Sequence, residues 1–113
     1  MGRFVQLKDG NGGVLVAASP VPIATITGSA GNIDLEPGYY YQAGELSSLT
    51  FTLVAPDDND FIAQYHITFT SGSSPTTVNW PDGLLFNNSP NIESDKTYEI
   101  DIVNNLCIIC SYQ

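Results

Sequence analysis

The stretch from Phe61 to Cys110 constrains the fold more than any other part of the sequence. Phe61, Ala63, Tyr65, Ile67 and Phe69 alternate with Gln64, His66, Thr68 and Thr70, and Tyr98, Ile100 and Ile102 alternate with Glu99 and Asp101. Successive side chains of an extended strand point to opposite sides, so this pattern gives one apolar face and one polar face. A Ser/Gly/Pro turn, a short run Thr76 to Trp80 and a Trp80-Pro81-Asp82-Gly83 corner lie between the two strands. Such patterning predicts an all-β, antiparallel β-sandwich or barrel-like (jelly-roll-like) single domain with an N-terminal β-hairpin arm.

The rest of the chain agrees on class. Ten Gly and seven Pro are spread through 113 residues, and no window carries apolar residues at helical spacing. Phe4 to Lys8 and Val14 to Ala18 flank Asp9-Gly10-Asn11-Gly12-Gly13, a hairpin loop whose Gly and Asn accept positive φ. Ser19-Pro20-Val21-Pro22 reads as an extended connector. The expected organisation is an arm and connector over residues 1–22 and a compact β-module over 23–113, although residues 4–18 can equally pair within the module's sheet. Within the module, Ile23 to Thr27 is a short strand, Gly28 to Asn32 a loop, and Glu36-Pro37-Gly38 a turn before Tyr39-Tyr40-Tyr41. Leu46 to Val54, Leu84 to Asn87 and Leu106 to Tyr112 complete the strands, with Asn104-Asn105 as a hairpin turn. No internal repeat is visible. Tyr39, Tyr41, Phe51, Tyr65, Ile67, Phe69, Tyr98 and Ile100 are the expected core and packing residues.

Charge narrows the function classes. The formal net charge is −9, and Arg3, Lys8 and Lys96 are the only Lys or Arg residues, with none between Asp9 and Asp95. Nucleic-acid binding depends on cations that release phosphate counterions, so no nucleic-acid partner is expected. Anionic membranes are disfavoured for the same reason. Only 13% of the residues are charged, so the surface must be dominated by Ser, Thr, Asn and Gln, which suits extensive protein contacts. Met1-Gly2-Arg3-Phe4 runs straight into strand-like sequence without an apolar leader. Folding in a cytoplasm, as a complete small gene product, is the expectation.

Few residues suggest chemistry. Cys107 and Cys110 form a lone C-x-x-C on a predicted strand. Residues i and i+3 of a strand face opposite ways, so the two thiols read as small hydrophobes rather than a metal or redox pair. His66 is the only His and sits mid-strand, with no Gly-x-Ser-x-Gly elbow in the chain, so it reads as a surface or interface imidazole. Asp57, Asp58 and Asp60 with Asn59 form an acidic turn that lacks calcium-loop spacing and reads as a solvated turn; were a cation bound, this turn or Asp9 with Asn11 is where the oxygen ligands lie. Neither a cofactor nor a catalytic residue is expected. Tyr39, Tyr40 and Tyr41 with Trp80 and Phe86 could stack on sugars, though aromatics serve cores and interfaces more often.

Several blocks resemble a small β-domain found in structural proteins of tailed bacteriophages, of the capsid decoration, head-fibre and tail-fibre type. They are Pro37-Gly38-Tyr39-Tyr40-Tyr41 through Gly44-Glu45-Leu46-Ser47-Ser48-Leu49, then Tyr65 to Gly72 with Pro75-Thr76-Thr77-Val78, the Trp80-to-Gly83 corner, and Lys96-Thr97-Tyr98-Glu99-Ile100 with Ile102-Val103-Asn104-Asn105. Val5 to Gly12 is similar to the Asp-Gly-Asn hairpins that open many phage fibre proteins. The open stretch Asn87 to Asp95 departs from the family pattern. The resemblance implies a virion protein, made in the bacterial host's cytoplasm, that self-associates as a homotrimer and binds the major capsid protein or another virion protein. It brings no catalytic residues. On this reading Arg3, Phe4 and Lys8 of the arm, with Tyr39, Tyr40, Tyr41 and Trp80, are the candidate partner-binding residues. The alternative is a receptor- or glycan-binding module of a tail fibre, with Tyr40, Trp80 and loop Asn residues as the platform.

Overall fold

The computed structural model describes residues 7–8, 14–16, 21–56 and 62–113. All regular structure in them is strand. The strands are β1 (Leu7–Lys8), β2 (Val14–Val16), β3 (Ile23–Ile26), β4 (Ala30–Leu35), β5 (Tyr40–Glu45), β6 (Ser48–Leu53), β7 (Gln64–Thr70), β8 (Thr77–Asn79), β9 (Leu85–Phe86), β10 (Thr97–Val103) and β11 (Leu106–Tyr112). They form a two-stranded sheet β1-β2, a six-stranded sheet β3-β5-β7-β10-β11-β9 and a three-stranded sheet β4-β6-β8. The all-β class therefore holds.

The pairing directions depart from the antiparallel expectation. From β3 to β8 the chain alternates between the two larger sheets. Each strand pairs in parallel with the one two places on: β3 with β5, β5 with β7, β4 with β6, β6 with β8. This is a short coil, each turn laying one strand in each sheet. Antiparallel strands joined by a tight turn would share a sheet; here successive strands lie in opposite sheets instead.

Backbone bonds continue around the corners. Ser47 N–H donates to the Ser29 carbonyl at 2.7 Å, and Thr77 N–H donates to the Ser47 carbonyl at 3.0 Å. At the other corner Val54 N–H donates to Leu35 O at 2.9 Å and Gly38 N–H to Gln64 O at 3.0 Å. The turns repeat in space although the sequence shows no repeat. The predicted loop Gly28 to Asn32 is corrected by this geometry: Ala30, Gly31 and Asn32 belong to β4, which β6 holds extended (Gly31 opposite Leu49, Ile33 opposite Phe51).

The antiparallel expectation is met at the other end. β7, β10 and β11 pair antiparallel in unbroken register, from Thr97 opposite Thr70 to Val103 opposite Gln64, and from Thr97 opposite Tyr112 to Val103 opposite Leu106. The Asn104-Asn105 turn closes the hairpin, with Asn104 at φ 57°. In the arm, Leu7 lies opposite Val16 and Lys8 opposite Val14. This is the predicted hairpin, and among the described residues it is hydrogen-bonded into neither larger sheet.

The core fills the space between the six- and three-stranded sheets. Phe51, Leu49 and Leu35 from one side meet Tyr41, Tyr65, Ile67, Phe69, Tyr98, Ile100 and Ile102 from the other, all buried. Phe69 and Tyr98 stack at 5.6 Å between ring centroids. Each large aliphatic or aromatic side chain so buried contributes roughly 1.5–3 kcal/mol relative to exposure. Tyr39 is the exception among the expected core residues; it is 38% exposed, because it follows the Pro37-Gly38 turn and lies outside β5, where the strand's inward alternation does not hold it.

A local device recurs twice. Leu35-Glu36-Pro37-Gly38-Tyr39-Tyr40-Tyr41 and Ile92-Glu93-Ser94-Asp95-Lys96-Thr97-Tyr98 each start with a buried aliphatic residue and end with a buried Tyr. Both place a positive φ at the fourth position, Gly38 at 86° and Asp95 at 57°. Glu36 N–H donates to the Tyr41 hydroxyl at 2.9 Å, and Glu93 N–H to the Tyr98 hydroxyl at 2.7 Å. The phenol satisfies a turn amide while its ring fills the core. Tyr65 acts in the opposite sense, donating to the Val54 carbonyl at 2.5 Å.

Candidate functional site

Side chains that do not enter the core line up across the outer face of the six-stranded sheet. One row runs Ile23, Tyr40, His66, Asp101, Ile108, and the next Thr25, Gln42, Thr68, Glu99, Cys110. Strand alternation turns these residues outward, and the register brings residues distant in sequence side by side.

At the centre, His66 Nδ1 lies 2.7 Å from Asp101 Oδ1. A carboxylate only accepts, so the contact selects the Nδ1–H tautomer and leaves Nε2 free to meet a ligand. Tyr40 stands edge-on to the imidazole, with ring centroids 6.2 Å apart, and its hydroxyl donates to Glu99 Oε1 at 2.9 Å. Partial burial, then the bond to Glu99 and its negative charge, push the Tyr40 phenol up to about 12. Val21, Tyr40, His66, Glu99 and Asp101 line an open groove of about 280 Å³. The groove presents a phenol and an imidazole beside two carboxylates.

The remaining predicted residues are scattered. Tyr40 faces out, Tyr41 is buried in the core and Tyr39 follows the turn just before β5. Trp80 packs inward, 5.8 Å from Phe51 and 5.1 Å from Phe86 between ring centroids. The two-aromatic sugar platform is therefore not assembled: Tyr40 lies on the outer face of one sheet, whereas Trp80 follows β8 of the other and lies against the core. Arg3 and Phe4 lie outside the described residues, as do Asp57, Asp58, Asn59 and Asp60, and Asp9 with Asn11. Lys8 pairs with Val14 in the arm hairpin. Among the described residues no three His, Cys, Asp or Glu side chains converge as a metal site would need.

Cys107 is buried and Cys110 exposed, as the strand argument requires. Burial, with the nearby Asp101 charge, raises the Cys107 thiol to about 11, so it stays protonated and inert. Sequence reasoning missed the pairing of His66 with Asp101 and of Tyr40 with Glu99. Their outward direction was legible from alternation. Their adjacency required the β7–β10 register, which no short hairpin sets.

Apolar residues frame the groove. Ile23 is 61% exposed at one edge of the sheet, and Leu85 and Leu106, at 60% and 45%, sit opposite each other at the other. Tyr112, 55% exposed, ends β11. No family model, curated protein or solved structure matches this chain.

Proposed function

We propose that this chain is a structural protein of a tailed-bacteriophage virion, a capsid decoration or head-fibre component that acts by protein–protein binding and self-association. The observation that carries the proposal is the outer face of the six-stranded sheet. Exposed Ile23, Leu85, Leu106 and Tyr112 flank polar rows that carry Glu99 and Asp101 and a central groove. A single body this small leaves much apolar surface uncovered, and a symmetric oligomer would cover it. The blocks that resemble phage virion domains also fall on the strands that build this body: Tyr40 to Leu49 on β5 and β6, Tyr65 to Thr70 on β7, and Lys96 to Asn105 on β10 and its turn. In this reading the protein is made in the host cytoplasm, assembles as a homotrimer and binds the major capsid protein or another virion protein. Its work is binding, not catalysis.

The test is native mass spectrometry of the full chain, followed by co-sedimentation with purified phage particles. The expected results are a trimer and saturable particle binding. A monomer that fails to sediment with particles would overturn the proposal.

A second reading, a glycan-binding module, draws on one observation: Tyr40 beside Glu99 and Asp101 offers a ring face and two hydroxyl acceptors. Saturable glycan binding abolished by Tyr40→Ala, without particle binding, would favour it.

A further inference from the structure

The two large sheets differ in size. Beyond β7 the six-stranded sheet continues with β10, β11 and β9, whereas the three-stranded sheet stops at β8. Among the described residues β8 is thus an open edge. In a parallel strand, alternate residues direct both backbone groups to the same side. Thr77 N–H donates toward β6, to the Ser47 carbonyl at 3.0 Å, which fixes the phase. Thr77 and Asn79 therefore bond inward to β6, and Val78 directs its N–H and C=O to the open side. A groove of about 340 Å³ runs along this edge. Its lining joins the run Pro75 to Val78 and Trp80 with residues 90–92. A strand's consecutive residues line a groove when its edge, rather than one face, forms the wall. β8 is three residues long and lies between Pro75 and Pro81, and within its own span it carries neither charge nor Pro.

We propose that this edge receives one strand of the N-terminal hairpin of a second copy, which adds as the next strand of the three-stranded sheet. The inference rests on the self-association in the functional reading above. Charge argues for this occupant. Arg3 and Lys8 against Asp9 make residues 1–22 net positive, whereas residues 23–113 hold eleven of the twelve acids and Lys96 alone. Lys96 already pairs with Glu93. The arm is the chain's one basic segment, so a neighbouring body is its complementary surface. The hairpin is a second argument: among the described residues β1 and β2 pair only with each other, so each keeps one edge for a further strand. Addition of a strand gives affinity through main-chain bonds and specificity through side chains in the groove.

Three full-length variants test this by native mass. Val78→Pro deletes the edge N–H and leaves the bonds from Thr77 and Asn79 to β6 in place; Val78→Ala shortens the same side chain but keeps the N–H. Arg3→Glu with Lys8→Glu reverses the arm's charge. Wild type and Val78→Ala should assemble, whereas Val78→Pro and the arm variant should each run as single chains. Mixing those two should restore a hetero-assembly, because one supplies an intact arm and the other an intact edge. Assembly by Val78→Pro equal to that of Val78→Ala would overturn the edge site and leave the virion reading standing. Should Val78→Pro lose its folded circular-dichroism spectrum, the arm variant decides alone: continued assembly overturns the proposal and loss of assembly supports it. A wild type that is monomeric at every concentration overturns it outright, and the virion reading is then judged by particle binding.

Discussion

The coil from β3 to β8 and the hairpin β10–β11 share one sheet but reach it by different physics. In the hairpin, Asn104-Asn105 sets the register locally, and seven residue pairs follow from a single turn. In the coil, neighbours in a sheet are separated by an excursion through the other sheet, so the register depends on corner bonds and core packing. Contacts that close longer loops cost more chain entropy before they return any stability. The lesson is that similar strands can be specified locally or collectively, and only the first kind is written plainly in the sequence.

The strongest challenge to this contrast is a pair of core truncations. Leu49→Ala in the coil and Ile100→Ala in β10 remove side chains that are both fully buried. Each should lower stability by about 2–5 kcal/mol in urea titrations. Under native-state hydrogen exchange Leu49→Ala should open β4, β6 and β8 before β10 and β11. Simultaneous opening of both halves would erase the distinction.

A smaller effect probes the contact between coil turns. A Cβ on Gly31 would lie 3.0 Å from Leu49 Cδ1, which is tighter than ordinary packing. Gly31→Ala should cost about 1–3 kcal/mol by overpacking. An unchanged urea midpoint would show that the turns can separate freely. Tyr41→Phe and Tyr98→Phe each strand one turn amide, one in the coil and one before the hairpin. Each should cost about 1 kcal/mol, and the double variant should cost the sum, because the sites share no partner.

The outer face gives two further checks. The Tyr40 phenol is raised in the folded protein from 10.0 to about 12, so folding favours its neutral form. Its contribution is complete below pH 10 and disappears as pH rises toward 12. Alkaline urea titrations should therefore show a stability loss over that window that Tyr40→Phe reduces. A loss identical in the variant would assign it to other groups. Finally, the native protein should react with a thiol reagent at Cys110 alone, and Cys107 should respond only after unfolding. Rapid labelling of Cys107 would mean that β11 detaches readily.

What the sequence displayed follows the same division. β7, β10 and β11 alternate cleanly and form as expected. β4 was hidden because Gly31, Asn32 and Asp34 are poor strand formers, and only β6 alongside holds them extended. Parallel pairing was hidden because alternation reports which face is buried, not which neighbour lies alongside. The tyrosine triplet showed that some rings must face out, and the structure distributes them as turn, outside and core. The groove on the outer face was half legible. His66 and Asp101 were both marked as outward, but only the register joins them.

The coil also separates what must stay fixed from what can change. Ile23 stacks on Tyr40 after one circuit and Tyr40 on His66 after a longer one, yet both circuits dock in register. The extra residues of the second circuit fall largely in the connection between Leu53 and Gln64. That corner can lengthen or change composition while the stacked strands keep their places, because loop closure becomes only slowly costlier with length. A change of length there adds surface without altering the register of the stacked strands.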